Sequence, residues 1–230
     1  MELIIYALAP VAVIILYIYL KDKYEKEPKQ LLLISFLLGA IVSIIITTIL
    51  YRFFDLALPL TNSLSVLQQF VQAFFVVGFS EELSKYLVVL LFAQRHKAFN
   101  EPFDGIVYAV MVSMGFAATE NILYVMESGP TTALLRAFTA IPAHATFGIL
   151  MGYFMGKAKF SNNRILLNLS GLVLAVLFHG AYDFFLFIDF IPGIWIGAFV
   201  SLIIGVLLSR KAIKKHQLAS RFKNDLEVKS

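Results

Sequence analysis

The chain has 230 residues, of which 60% are hydrophobic, and its mean hydropathy is +0.82. Soluble domains are usually about 45–50% apolar, so this composition indicates a multi-spanning membrane protein and leaves no room for a separate soluble domain. The lack of cysteine excludes disulfides, thiolate metal sites and a cysteine nucleophile. The net charge of +4 favours loops facing anionic lipid over nucleic-acid binding.

Seven apolar segments are each long enough to cross a bilayer as a helix, which takes about 20 residues. They cover roughly residues 3–20, 31–50, 64–93, 103–126, 132–156, 165–188 and 191–209. None shows the two-residue alternation of a membrane β-strand. We therefore predict an all-α, polytopic membrane helix bundle of about seven transmembrane helices. Residues 1–209 would form one transmembrane domain and residues 210–230 a basic cytoplasmic tail.

Basic residues concentrate in alternate connections between these segments. Four Lys or Arg residues follow the first segment, two follow the third, three follow the fifth and seven follow the last, whereas the other connections hold one or none. Positively charged loops stay on the cytoplasmic side, so we predict that the N-terminus is outside and the C-terminus inside. Pro10 and Pro142 fall within segments and are candidate kink sites.

Ionisable side chains interrupt the apolar segments. The third segment contains Glu81-Glu82-Leu83-Ser84-Lys85, and later segments contain Glu120-Asn121, Arg136, His144, His179 and Asp183. An ionised group at the bilayer centre costs about 2.5–3.5 kcal/mol even on the mild insertion scale, so such groups normally face a protein interior. We therefore expect the carboxylates of the third segment to face other helices.

Taken one at a time, several of these residues have ordinary structural interpretations. Lys85 is typical of a carboxylate partner or a snorkelling side chain, and Arg136 lies near a helix end from which it would reach the membrane interface. His144 alone would suit a hydrogen-bonded core histidine, and Asn121 alone an interhelical hydrogen bond. Five groups on three helices are harder to explain in this way, namely Glu81, Glu82, Glu120, His179 and Asp183.

Their depths favour a common cavity. With the predicted topology and a helical rise of about 1.5 Å per residue, five groups lie about 16 to 27 Å from the inner helix ends. In order of depth they are Glu82, His144, His179, Glu120 and Asp183. Unrelated structural residues would be scattered in depth, so we predict one polar cavity between mid-bilayer and the outer half of the membrane.

Two kinds of hydrolytic chemistry suit this set of groups. A carboxylate can act as general base to water, and a histidine can shuttle protons or stabilise an oxyanion. The imidazoles and carboxylates could also hold a divalent metal such as zinc, although there is no His-Glu-x-x-His motif and a metal-free site stays open. The candidate metal ligands are Glu120, His144, His179 and Asp183.

The order and spacing of these motifs resemble those of the PrsW family of intramembrane proteases. The motifs are Glu81-Glu82-x-x-Lys85, Phe116-x-x-x-Glu120-Asn121, His144 and His179-x-x-x-Asp183. Two flanking stretches also match, namely Asp22-x-x-x-x-Glu27-Pro28 and Phe103-Asp104-Gly105. The more distantly similar CAAX-processing and bacteriocin-immunity proteases carry His where this chain has Glu120, which argues against a direct transfer of their mechanism.

The resemblance implies a bacterial cytoplasmic-membrane protease. PrsW-like proteins make the first, extracytoplasmic-side cut in a membrane-spanning anti-sigma factor, after which a second intramembrane protease acts and a sigma factor is released for stress responses. The expected partners are therefore an anti-sigma factor as substrate and the lipid bilayer, with no nucleic acid.

The resemblance also implies that Glu81 and Glu82 are the essential pair, one as general base and the other shaping its protonation, in an order that the sequence leaves open. We expect His179 to stabilise the oxyanion or shuttle a proton. Asp183 would orient His179 or join a metal. The remaining expected members of the site are Glu120 and His144, as ligands or proton partners, and Lys85, as the charge partner of the glutamates.

Three alternatives stay open at this point. A proton-coupled transporter could use the same buried groups, although we find no inverted repeat or paired broken helices. A non-catalytic scaffold would tolerate Glu81→Gln. A CAAX-type or bacteriocin-immunity protease is disfavoured by Glu120.

Overall fold

The computed structural model describes residues 2–223, and every regular element within that range is a helix. We number the helices in chain order. They are α1 (Glu2–Lys21), α2 (Lys29–Ala57), α3 (residues 66–91), α4 (Pro102–Ser128), α5 (Pro130–Phe138), α6 (Ala140–Lys159), α7 (Arg164–Phe187) and α8 (Ile196–Leu218).

Seven helical stretches account for the predicted spans. Six of them are long and apolar enough to cross a membrane, with α5 and α6 together making one such stretch, Pro130–Lys159. The seventh is α3, which carries Glu81, Glu82 and Lys85 in its second half. The all-α, polytopic bundle of about seven helices is therefore confirmed, while the orientation with the N-terminus outside stays a prediction.

Two details of the chain differ from a simple bundle of straight helices. The helix breaks at Thr139, between α5 and α6, because the ring of Pro142 would clash with the carbonyl of Phe138 if the helix continued. Helix α8 continues past the predicted end at residue 209 and buries Ile213 and His216. The division into residues 1–209 and 210–230 stays a prediction, and residues 224–230 lie outside the described part.

Helix α4 forms the centre of the bundle. It packs against α1, α2 and α6 and is buried on nearly all sides. Close approach depends on glycine, because a Cβ atom on Gly115 would lie 1.9 Å from the carbonyl oxygen of Phe36, and one on Gly105 would lie 2.4 Å from that of Gly152. Small residues at such contacts let membrane helices pack backbone to backbone. This close packing of α4 places its polar residues against α6.

The outer surface of the bundle is apolar. Large hydrophobic side chains such as Leu56 and Ile165 are mostly exposed, and similar residues cover the outer faces of α1, α2 and α8. Exposed apolar surface on this scale is unfavourable in water and suits contact with lipid. The polar groups named from the sequence are instead mostly buried.

Candidate active site

A π-helical stretch positions the glutamate pair. Residues Gln72–Gly78 of α3 are π-helical, and α-helical geometry resumes at Phe79–Leu91, one turn before Glu82. Such stretches are frequent at functional sites because they change the rotation of everything that follows. Helix α7 comes close at the same level, since a Cβ atom on Gly180 would lie 2.4 Å from the ring of Phe74. This contact brings the adjacent His179 to α3.

Lys85 lies at the centre of the polar groups. Its Nζ atom donates to Glu82 Oε1 at 2.7 Å and to Glu81 Oε2 at 3.3 Å, and it lies 3.3 Å from His144 Nδ1. The ammonium also lies 4.1 Å from the centre of the Phe116 ring. Because the side chain is 1% exposed, these contacts replace its hydration. The predicted role of Lys85 as charge partner is consistent with this geometry.

The His144 ring connects Lys85 to Glu120. An ammonium only donates hydrogen bonds, so Nδ1 of His144 accepts and Nε2 carries the proton that is donated to Glu120 Oε2 at 2.9 Å. The same carboxylate oxygen accepts from Arg136 Nη2 at 2.6 Å. The expectation that Arg136 reaches the membrane interface stays a prediction, and the structure adds that its guanidinium lines the cavity against Glu120. Its Nε donates to Asn121 Oδ1 at 2.7 Å.

The interhelical hydrogen bond expected of Asn121 is present. Its amide nitrogen donates to the carbonyl oxygen of Ala7 in α1 at 2.8 Å, while its oxygen accepts from Arg136 in α5. One buried side chain thus joins three helices. The chain of contacts from Lys85 through His144 and Glu120 therefore ends at a point where α1, α4 and α5 are joined by hydrogen bonds.

The second imidazole is held between two carboxylates. Nδ1 of His179 lies 2.8 Å from Glu82 Oε1, and its Nε2 lies 3.2 Å from Asp183 Oδ2 and 3.9 Å from Glu81 Oε2. Ionised carboxylates only accept hydrogen bonds, so this arrangement suits an imidazolium with both nitrogens protonated. The ring stacks on Phe147 with centroids 4.8 Å apart, which fixes its plane.

A cavity of about 510 Å³ opens onto these groups. Its polar lining comes from α2 to α7 and consists of Tyr51, Glu81, Glu120, Arg136, His144, His179 and Asp183, among others. Glu82 and Lys85 lie behind this lining and are buried. Ionisable groups from several helices therefore converge on one cavity, as predicted. Glu81 faces this cavity, whereas Glu82 does not.

Tyr51 is a member of the site that the sequence did not indicate. Its hydroxyl donates to Glu81 Oε1 at 2.7 Å. The residue follows the predicted second segment directly, where the apolar pattern places a loop, and a tyrosine near a membrane interface is ordinary. No sequence signal distinguishes it from the other tyrosines.

Four residues are arranged so that they could hold a metal ion. Glu81, Glu82, His144 and His179 each offer one ligand atom, and these atoms lie within 4.8 Å of one another. Glu82 Oε2 is buried without a hydrogen-bond partner, so an acceptor is left over within this group. The donor types, carboxylate and imidazole, suit zinc and related ions. The residues therefore fit a divalent metal.

The other two metal candidates contact the imidazoles from the outside. Glu120 binds Nε2 of His144, and Asp183 lies against Nε2 of His179, so that Nδ1 of His144 faces Lys85 and Nδ1 of His179 faces Glu82. Carboxylates in this position typically fix the orientation of metal-binding histidines. This geometry favours Glu120 and Asp183 as outer partners of a metal site.

Charge balance also favours a bound cation or additional protons. Four carboxylates converge here, whereas the permanently cationic side chains that contact them in the described residues are Lys85 and Arg136. A buried excess of negative charge is costly unless it is neutralised. A metal ion held by these groups would compete with the Lys85 ammonium for the same oxygen and nitrogen atoms.

The fold and this site define a polytopic membrane protein with a buried carboxylate–imidazole centre that opens onto a cavity, as expected for an intramembrane hydrolase. A family model described as "PrsW family intramembrane metalloprotease" matches residues 27–209. The chain therefore belongs to the PrsW family of intramembrane proteases, which confirms the resemblance drawn from its motifs. It is a peptidase and a multi-pass membrane protein of bacteria.

Curated relatives support this assignment over most of the chain. A "Protease PrsW" from Oceanobacillus iheyensis is 39% identical over 180 residues, which is 78% of this chain and 80% of the relative. One from Geobacillus kaustophilus is 37% identical over 200 residues, 86% of each chain, and one from Bacillus subtilis is 38% identical over 181 residues, 78% of this chain and 80% of the relative. No solved structure matches this chain.

Proposed function

We propose that this peptidase makes the first, extracytoplasmic-side cut in a membrane-spanning anti-sigma factor, leading to release of a sigma factor. The supporting observation is the position of the cavity. Its lining includes Tyr51 of α2, Tyr124 of α4 and Leu186 of α7, which lie at the ends of those helices that the distribution of basic residues predicts to be outside. A transmembrane substrate would present its outer half to Glu81.

Within the pair, Glu81 acts as the general base. It faces the cavity, where water and a peptide bond can approach, and its oxygens contact Tyr51 and Lys85. It takes a proton from water as the oxygen attacks the peptide carbonyl carbon. Glu82 has no access to the cavity, and it positions Lys85 and His179 instead.

His179 completes the reaction as the proton donor. Its ring lines the cavity between Asp183 and the glutamate pair, and that position suits a protonated imidazole. When the C–N bond breaks, the leaving amine takes a proton from this ring, and Glu81 then returns the proton that it took from water to His179, which restores the starting state. Asp183 orients the ring and stabilises its charged form.

A divalent metal such as zinc would be held by Glu82, His144 and His179; in that form the His179 ring would be neutral, and Glu81 would pass the proton from water to the leaving amine in its place. Two imidazoles and one carboxylate form a known set of ligands for catalytic zinc, which leaves a position open for water. When bound, the ion would polarise the peptide carbonyl and make the water more acidic. Glu81 then stays free to act as base at the cavity surface.

The function is tested with the full chain reconstituted in lipid nanodiscs together with a single-span anti-sigma factor. We expect cleavage in the outer half of the substrate's membrane segment, read from product masses by mass spectrometry. Glu81→Gln serves as the inactive control. Cleavage near the inner end, or failure to cut the anti-sigma factor by a preparation that cuts another transmembrane peptide, would contradict the proposed substrate.

Asp183→Asn should reduce the cleavage rate about 10–100-fold, as loss of an outer partner of a catalytic histidine usually does. The amide keeps the size of the side chain but no longer stabilises a charged His179 ring. Asp189→Asn is the matched control, because Asp189 lies exposed just beyond the end of α7. The two rates are compared on the same substrate, and equal rates would exclude a role for Asp183.

A further inference from the structure

A second acidic cluster lies far from the catalytic centre. Glu25 and Glu27, in the connection between α1 and α2, meet Asp104 in the first turn of α4. One oxygen from each residue lies within 4.8 Å of the other two. Asp104 and Glu120 are separated along α4 by about 24 Å, so the two clusters occupy opposite ends of the bundle.

Glu27 and Asp104 are buried, and each uses only one of its two carboxylate oxygens as an acceptor. Asp104 Oδ2 accepts from the backbone N–H groups of Asn100 at 2.6 Å and Glu101 at 2.7 Å, and Glu27 Oε2 accepts from the Tyr108 hydroxyl. The second oxygens, Asp104 Oδ1 and Glu27 Oε1, are buried and accept from no N–H or hydroxyl donor, and the two carboxyl groups lie within hydrogen-bonding reach of each other.

Three neighbouring oxygens are in the same condition. They are Glu25 Oε2, Asp22 Oδ1 and Asn100 Oδ1. A buried acceptor without a donor is destabilising, and native structures contain few of them. Five in one small region, all of them oxygen, indicate a missing electropositive partner.

Within residues 2–222, nearby cations such as Lys159 act on this cluster without forming an ion pair with it. Among residues 2–222, no Lys or Arg nitrogen lies within 4.0 Å of a carboxylate oxygen in this cluster. Lys26 is adjacent in sequence, but its Nζ donates to the backbone carbonyls of Tyr19 and Asp22. Burial and the neighbouring Asp104 carboxylate raise the pKa of Glu27 far above its usual range, and burial raises the pKa of Asp22 to about 7.

We propose that Glu25, Glu27 and Asp104 bind a hard divalent cation, Ca²⁺ or Mg²⁺, which joins the α1–α2 connection to the start of α4. Oxygen-only ligand sets with several carboxylates are those that these ions prefer, whereas zinc favours the imidazole-containing site at the other end of the bundle. The ion serves structure, because Asp104 also caps α4, the central helix. Neither part of this proposal depends on the substrate of the protease.

The test uses Tb³⁺, a luminescent probe for oxygen-rich cation sites, with the full chain in nanodiscs. Tyr108 contacts Glu27 and is expected to sensitise the emission of bound Tb³⁺. We expect saturable emission that Ca²⁺ or Mg²⁺ displaces and that persists in Glu81→Gln. Because loss of an outer partner alone typically weakens a metal site 10–100-fold, Glu25→Gln and Glu27→Gln should each weaken binding at least about tenfold.

Asp55→Asn, at an exposed position near the end of α2, is the control for loss of one carboxylate. Glu25→Gln is the informative variant if Glu27→Gln folds poorly, because Glu25 is only half-buried. Unchanged Tb³⁺ affinity in Glu25→Gln, or no displaceable emission from the natural chain, would overturn the proposal. The latter result would mean that protons shared between Glu27 and Asp104 neutralise the cluster.

Discussion

Replacing Glu81 by Gln should reduce cleavage about 10²–10⁴-fold, the range expected for loss of a general base. The amide has the same shape and can still accept the hydrogen bond from Tyr51, so the cavity should keep its form. It cannot take a proton from water at neutral pH. The measurement is the single-turnover cleavage rate in nanodiscs, with thermal unfolding followed in parallel.

Glu82→Gln should differ from Glu81→Gln in its effect on folding. Glu82 is fully buried against Lys85 and His179, and removing one partner of a buried ion pair typically costs about 3–5 kcal/mol. We therefore expect both variants to lose activity and only Glu82→Gln to unfold at clearly lower temperature. Glu127→Gln, exposed near the end of α4, is the control for both. Near-normal cleavage by Glu81→Gln would refute its role as base and would favour a scaffold.

The layering of the site was predictable because the rise of a helix is constant. Once the basic loops fix the orientation, each polar residue acquires a depth, and Glu82, His144 and His179 fall in one layer. The structure brings these same residues within hydrogen-bonding distance of one another or of Lys85. Depth, however, says nothing about rotation around the helix axis.

Rotation is what the sequence left undetermined. Which of Glu81 and Glu82 faces the cavity depends on the π-helical stretch Gln72–Gly78, and a hydrophobic pattern analysed at 3.6 residues per turn does not reveal such a stretch. The role of Arg136 was missed for a related reason. Its place near a helix end suggested the interface, and neither that place nor its depth indicates that the guanidinium pairs with Glu120.

The pattern of contacts around the two imidazoles also distinguishes metal ligands from their supports. Sequence spacing put His179 and Asp183 on one helical face and treated them as equivalent candidates. In the structure the carboxylate lies on Nε2, and Nδ1 faces Glu82. His144 likewise has a carboxylate, Glu120, on Nε2, while its Nδ1 faces Lys85 within the group of four possible ligands. The repetition on separate helices argues that both rings are oriented toward one shared ligand position.

Removing a transition metal should therefore abolish cleavage. We expect phenanthroline, which binds zinc strongly and Ca²⁺ or Mg²⁺ weakly, to lower activity at least about 10²-fold, because the ion would supply several kcal/mol of transition-state stabilisation. Added Zn²⁺ should restore it. The bound metal is measured by mass spectrometry of the purified protein, where His144→Ala should lower zinc content and leave Tb³⁺ binding at Glu27 unchanged.

Because the two proposed cation sites have different ligands, two chelators can distinguish a catalytic metal from a structural one. A calcium-selective chelator acts on the oxygen-only cluster of Glu25, Glu27 and Asp104, so it should reduce thermal stability before it reduces the rate per folded molecule. Phenanthroline should do the reverse. If cleavage continues at the full rate after zinc content falls to background, the chemistry belongs to Glu81 and His179 alone. In that case the ammonium of Lys85 would provide the positive charge that stabilises the glutamate pair.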